Sequence, residues 1–98
     1  MFTGCAEFDL LLPPDSRSLK AKRSYVRPIV AALRKFEVAA AEVGDQDLHG
    51  RTTVGVAAVA GDHPHVQEIL NACEKLVAAR PEVELLGVRR RVFGPEDE

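Results

Sequence analysis

The chain has 98 residues, 46% hydrophobic and 29% charged, with a net charge of −2. That length supports one small core and not two, so a single domain is expected over residues 1–93, followed by an acidic tail at 94–98. The charge balance excludes a generally basic, polyanion-coating surface. No apolar run approaches the roughly 18 residues of a membrane span, and nothing at the N-terminus reads as a secretory leader, so a cytoplasmic protein is expected, folding without a cofactor.

Met1 to Leu12 alternates, with Phe2, Gly4, Ala6, Phe8, Leu10 and Leu12 on one face and Thr3, Cys5, Glu7, Asp9 and Leu11 on the other, which predicts a half-buried strand. Pro13-Pro14-Asp15 ends it, because proline cannot donate to a ladder and restricts the residue before it. Ser16 or Ser18 is the expected N-cap of a helix reaching Lys35, with Leu19, Val26, Ile29, Val30 and Leu33 on one stripe. Pro28 falls inside it and predicts a bend or a later start. Lys20, Arg23, Arg27 and Arg34 form an exposed basic row, whereas Lys22 projects within the apolar stripe.

Phe36 to Val43 reads as a short strand of small residues. Arg51 to Ala60 reads as an interior strand, since both of its faces are apolar. Asp62 caps a second helix with proline in its first turn, and Val66, Ile69, Leu70, Cys73, Leu76 and Val77 give it a clean helical period up to Pro81. Glu82 to Phe93 reads as the last strand. The order β-α-β-β-α-β predicts a ferredoxin-like α+β domain: a four-stranded antiparallel sheet, order 4-1-3-2, with both helices on one face and the other face open.

Three stretches together, SLKAKRSYVRPIVAALRKF, VAAAEVGDQDLHGRTTVGVAAVAGD and EKLVAARPEVELL, resemble the YlxP-like family of small bacterial proteins, a domain of unknown function. The resemblance runs from about Gly4 to Arg91 and is most specific at AEVGDQDLHGR. It implies the same ferredoxin-like fold and a setting among translation and ribosome-maturation factors. The chain departs from the family pattern at Pro28 and at His49-Gly50, where relatives often carry a bulky side chain.

Asp45, Asp47 and His49 with Asp62, His63 and His65 look like a metal-ligand inventory, but the topology puts the two groups at opposite ends of the sheet, roughly 30 Å apart, and no metal site is expected. The same topology brings the 44–51 loop to the start of the first helix. Asp47, with Asp45 as the alternative, is therefore expected to accept from the first helical turn and to pair with Lys22, clasping loop to helix. Without docking, Lys20, Lys22, Arg23, Arg27, Asp45, Gln46, Asp47 and Arg51 would form an anion or partner site. No catalytic arrangement is expected, and Glu7 with Asp9 reads as solvated sheet-face polarity.

Three binding modes remain open. RNA or a ribosomal surface could be met through the basic helix face or through Arg89-Arg90-Arg91, although the absence of aromatics from RTTVGVAAVA argues against base stacking on the sheet. An anion or small molecule could be sensed at the 45–51 loop. A homodimer could form through the open sheet face, where Gly55, Ala57 and Val59 would lie beside Ala39, Ala41 and Val43, or through an edge strand. Cys5 and Cys73 are expected to be free thiols, with a bridge left open.

Overall fold

The computed structural model describes residues 1–97; Glu98, the last residue of the acidic tail, lies outside the described residues. Strand β1 (Phe2–Leu11) leads through the 12–18 connection to α1 (Leu19–Arg34), then β2 (Ala39–Gly44), β3 (Arg51–Ala60), α2 (His63–Ala78) and β4 (Glu84–Phe93), with a short 3-10 turn at Pro95–Asp97. The sheet is antiparallel with order β2-β3-β1-β4, the expected 4-1-3-2 read from the other edge. Both interior strands, β1 and β3, are those whose sequences carry apolar residues on the face beneath the helices.

Alternation decides which face of β1 is buried. Ala6, Phe8, Leu10 and Leu12 lie under the helices with Val54, Val56 and Ala58 of β3. Helix α1 lowers Val26, Ile29 and Leu33 onto this layer, chiefly over β2, and α2 lowers Val66, Leu70, Cys73 and Val77 over β1, β3 and β4. Burying each of the larger aliphatic side chains contributes roughly 1.5–3 kcal/mol of transfer free energy. Gly4 sets how closely α2 can approach β1, since a Cβ there would collide with the Val66 Cγ1.

Both helices begin where their caps dictate. Ser18 is extended and its hydroxyl accepts from the Ala21 amide at 3.1 Å; Asp62 does the same for His65 at 2.8 Å, with Pro64 in the first turn. Ser16 is not a cap. Pro28 neither delays the start nor divides α1, which is assigned as one helix across it. Pro28 and Ser24, whose carbonyl loses its usual donor, are both exposed, so water can reach that oxygen.

Leu19, expected in the apolar stripe, is 47% exposed. On a helical wheel Lys22 sits at the centre of the arc formed by Val26, Ile29 and Leu33, and Leu19 about 60° to its side. Strand β2 starts at Ala39 and not at Phe36, because the chain leaves α1 through a turn in which the Phe36 and Glu37 amides donate to Leu33 and Arg34 and Glu37 takes φ 62°. Strand β4 begins two residues later than expected, at Glu84.

Candidate functional site

The 44–51 loop docks on the start of α1, and it is held by its carbonyl oxygens. The Leu12 amide donates to the Gly50 carbonyl at 2.9 Å, and the buried Ser16 hydroxyl reaches the His49 carbonyl at 2.8 Å. The Lys22 ammonium donates to the Asp45 carbonyl. Asp45 itself takes φ 58°, and its carbonyl also accepts from the Leu48 amide, which closes the turn.

The carboxylate that pairs with Lys22 is Glu42, at 2.9 Å, and not Asp47 or Asp45. Strand alternation explains this: Ala40 and Glu42 share the helix-side face of β2, so Glu42 points at the buried lysine, while Asp47 sits exposed in the loop. Thr52, buried on the neighbouring strand, donates to the same Glu42 oxygen. Lys22 therefore finds its charge partner inside the fold, with its side chain 3% exposed.

This divides the eight residues expected to form one anion or partner site. Lys22 is spent on Glu42. Lys20, Arg23 and Arg27 remain together on the exposed side of α1, around a shallow hollow of about 370 Å³ that also includes Ser24 and Pro28. Arg51, the first residue of β3, faces the open side of the sheet, in a separate hollow of about 210 Å³ with Asp45, Asp9 and Leu86. Gln46 and Asp47 are exposed in the loop between them. Arg34 also leaves the basic row, because its guanidinium donates to the Ala40 carbonyl of edge strand β2 at 3.0 Å.

The open sheet face carries a second apolar surface. Ala39, Ala41 and Val43 of β2 and Gly55 and Ala57 of β3, with Cys5 of β1, line a groove of about 370 Å³. Gly55 keeps its floor low: a Cβ there would stand 3.1 Å from both methyls of Val43, which leans across β3 and would have to shift by a few tenths of an ångström. Beside the groove, Arg89 of β4 bridges two carboxylates of β1, with both guanidinium ends on Asp9 and one 3.3 Å from Glu7, while Thr53 of β3 donates to Asp9 at 2.8 Å. The Arg89 hydrogen bonds, then that of Thr53, hold the Asp9 carboxyl below the usual carboxylate range.

The residues alone do not announce this network: Glu7 with Asp9 reads as solvated sheet-face polarity, and Arg89 belongs to the run Arg89-Arg90-Arg91. Register is what joins them, since Glu7 lies opposite Arg89 in the β1·β4 ladder and Asp9 opposite Thr53 in β1·β3. Once strand order is known, that pairing follows by counting. Cys5 faces the groove and Cys73 the helix-side core, so the sheet separates two free thiols; burial pushes the Cys73 thiol up. Among the described residues no group of His, Cys, Asp and Glu is placed to hold a metal. His63 stands edge-on to Phe2, with ring centroids 5.9 Å apart, and the two His/Asp groups occupy opposite ends of β3. No helix among the described residues is long and apolar enough to cross a membrane.

A ferredoxin-like α+β domain with one sheet face uncovered and its 44–51 loop clasped to the first helix defines the class. The chain belongs to the family described as "Protein of unknown function (DUF503)", whose model matches residues 3–90. It is similar to the "Uncharacterized protein YlxP" of Bacillus subtilis (strain 168), at 33% identity over 91 residues, covering 92% of this chain and 98% of that protein.

Proposed function

We propose that the protein acts by binding and not by catalysis, and that the open sheet face is the surface it presents to a protein partner. The carrying observation is the uncovered apolar groove over β2 and β3, bordered by exposed Val43 and Val59 at 49% and 62%. Large apolar side chains left on a sheet face cost solvation free energy unless something covers them. Asp9 beside the groove favours the same reading, because Arg89 and Thr53 occupy its carboxylate. Translation or ribosome assembly is the setting that the family resemblance supplies.

A second reading is contact with RNA through Lys20, Arg23 and Arg27, favoured by the absence of any acid between Ser16 and Lys35. Base stacking on the interior strands plays no part in it, since Phe8 is buried and the open side of β1 and β3 carries no aromatic side chain. The anion-sensor alternative keeps the same three cations and loses Lys22 and Arg51.

Affinity purification from cells, with and without RNase, separates these readings. RNase-resistant capture lost in Ala57→Glu and retained in Arg23→Glu/Arg27→Glu supports the protein-binding face. Capture that vanishes with RNase and with the double arginine reversal supports RNA instead and overturns the first reading.

A further inference from the structure

We infer that the open sheet face is covered by a second copy of this chain, in a two-fold, face-to-face dimer centred on the groove of β2 and β3 and extending over the whole face; this rests on the proposed binding role of that face. The first argument is charge. A two-fold interface sets a patch against itself, so any net charge on the patch repels its own image. Here the open side carries three carboxylates, Glu7, Asp9 and Glu84, against three guanidiniums, Arg51, Arg89 and Arg91. Arg89 is bonded to Glu7 and Asp9, and Arg91 lies 5.2 Å from the ring centre of Phe93. A face that neutralises itself does not repel its own image and offers a strongly charged partner little to select. The basic side of α1, with Lys20, Arg23 and Arg27, is the opposite case and would repel a second copy.

The second argument is area. Four strands about 4.8 Å apart and up to ten residues long, at about 3.3 Å per residue, give a face of roughly 600 Å² per protomer. Covered in full on both protomers it would bury about 1,200 Å², the lower end of a standard stable interface. Exposed apolar bulk gathers on this side: Val43 and Val59 border the groove, and Leu11 and Leu86 lie at the far end of β1 and at the β1·β4 bulge. The small side chains of Ala39, Ala41, Gly55 and Ala57 let two such faces approach at or below the usual sheet-to-sheet spacing of about 10 Å.

The β2 edge fits a second copy less well. Strand β2 is six residues long and Arg34 sits on its Ala40 carbonyl, so this edge offers a second copy only a short, partly covered ladder.

Sedimentation equilibrium of the full chain from about 1 to 300 μM tests this. The expected result is a rise from 10.7 kDa toward twice that mass, with little sensitivity to salt. Ala57→Glu should weaken the association at least about tenfold, because the new carboxylate would be buried against its own image; Arg23→Glu should leave it unchanged. Should Ala57→Glu fail to fold by circular dichroism, Val59→Asp, at a position 62% exposed, serves in its place. The wild-type chain carries its own reporter: Cys5 lines the groove and Cys73 is fully buried, so thiol labelling should slow as protein concentration rises. A mass that stays at 10.7 kDa throughout, or a dimer indifferent to both face substitutions, overturns the inference. If the mass stays monomeric while Ala57→Glu still abolishes partner capture, self-association falls and the binding role of the face stands.

Discussion

Glu42 and Lys22 show how unequal the two ends of one ion pair can be. Lys22 is sealed, with its side chain 3% exposed, whereas Glu42 is 24% exposed and keeps a hydrogen bond from Thr52. Removing the acid strands a buried ammonium on a single carbonyl, so Glu42→Ala should cost about 3 kcal/mol or more in urea unfolding. Lys22→Met replaces the stem with an apolar one of similar length among Val26 and Ile29 and leaves Glu42 partly in water; its cost should stay below about 1.5 kcal/mol. Equal losses would show that the pair acts as a symmetric surface bridge. Across the sheet, Asp9 makes a pH prediction. Its folded pKa lies below its unfolded value of ~3.9, so the stability it contributes is fully present above that value and is lost as pH falls through the folded pKa. Arg89→Met removes the largest cause, and carboxyl NMR titration should find Asp9 moved up toward the ordinary range, with Thr53 still holding it partly down. The stability gap between wild type and Arg89→Met should close in the same acid window; an unmoved Asp9 would assign the depression elsewhere.

At the level of elements, α2 and β1 meet over Gly4, where an added methyl would run into Val66 and stand 3.0 Å from Leu70. Gly4→Ala should therefore destabilise by about 1–3 kcal/mol through overpacking. Combined with Val66→Ala, which opens space at the same spot, the total should be smaller than the sum of the two single effects; strict additivity in thermal unfolding would mean the contact is not shared. The elements themselves were largely legible in the residues. Strand β3 and the start of helix α2 follow from the residues because the apolar run ends at punctuation with a mechanism, Gly61 followed by a capping Asp62 and Pro64, whereas α2 stops at Ala78, short of the Pro81 that was expected to close it. The start of β2 does not follow from them, since Ala39 to Ala41 have too little polarity contrast to mark a period and the positive φ of Glu37 has no glycine to announce it. The clasp was legible in place and wrong in agent. Topology brought the loop to Lys22, but which carboxylate reached the ammonium depended on Glu42 sharing a strand face with Ala40, a finer reckoning than loop proximity. The Glu7, Asp9, Arg89 and Thr53 network needed one step more, the registers on both sides of β1.

For the whole molecule, the sheet is a partition between two surfaces of different character. One side carries the helices and the exposed cations Lys20, Arg23 and Arg27; the other carries the apolar groove and a border that cancels its own charge. Surfaces separated in this way should respond independently, and thermal unfolding can read them apart. If two copies pair through the open face, only the folded chain pairs, so the melting temperature must rise with concentration by mass action. At a total protomer concentration about tenfold above the dissociation constant roughly a fifth of the folded chain is still single, so the linkage amounts to about 1 kcal/mol, which for a domain near this size raises Tm by roughly 4–8 °C. Ala57→Glu should flatten that slope while barely changing Tm at high dilution, because Ala57 is exposed in the single chain and exposed substitutions usually stay within about 0.5 kcal/mol. Arg23→Glu should keep the full slope, since its side chain lies across the sheet from the groove. A wild-type Tm independent of concentration would leave the groove to a different partner, and a slope lost equally in Arg23→Glu would mean that the two surfaces are not independent.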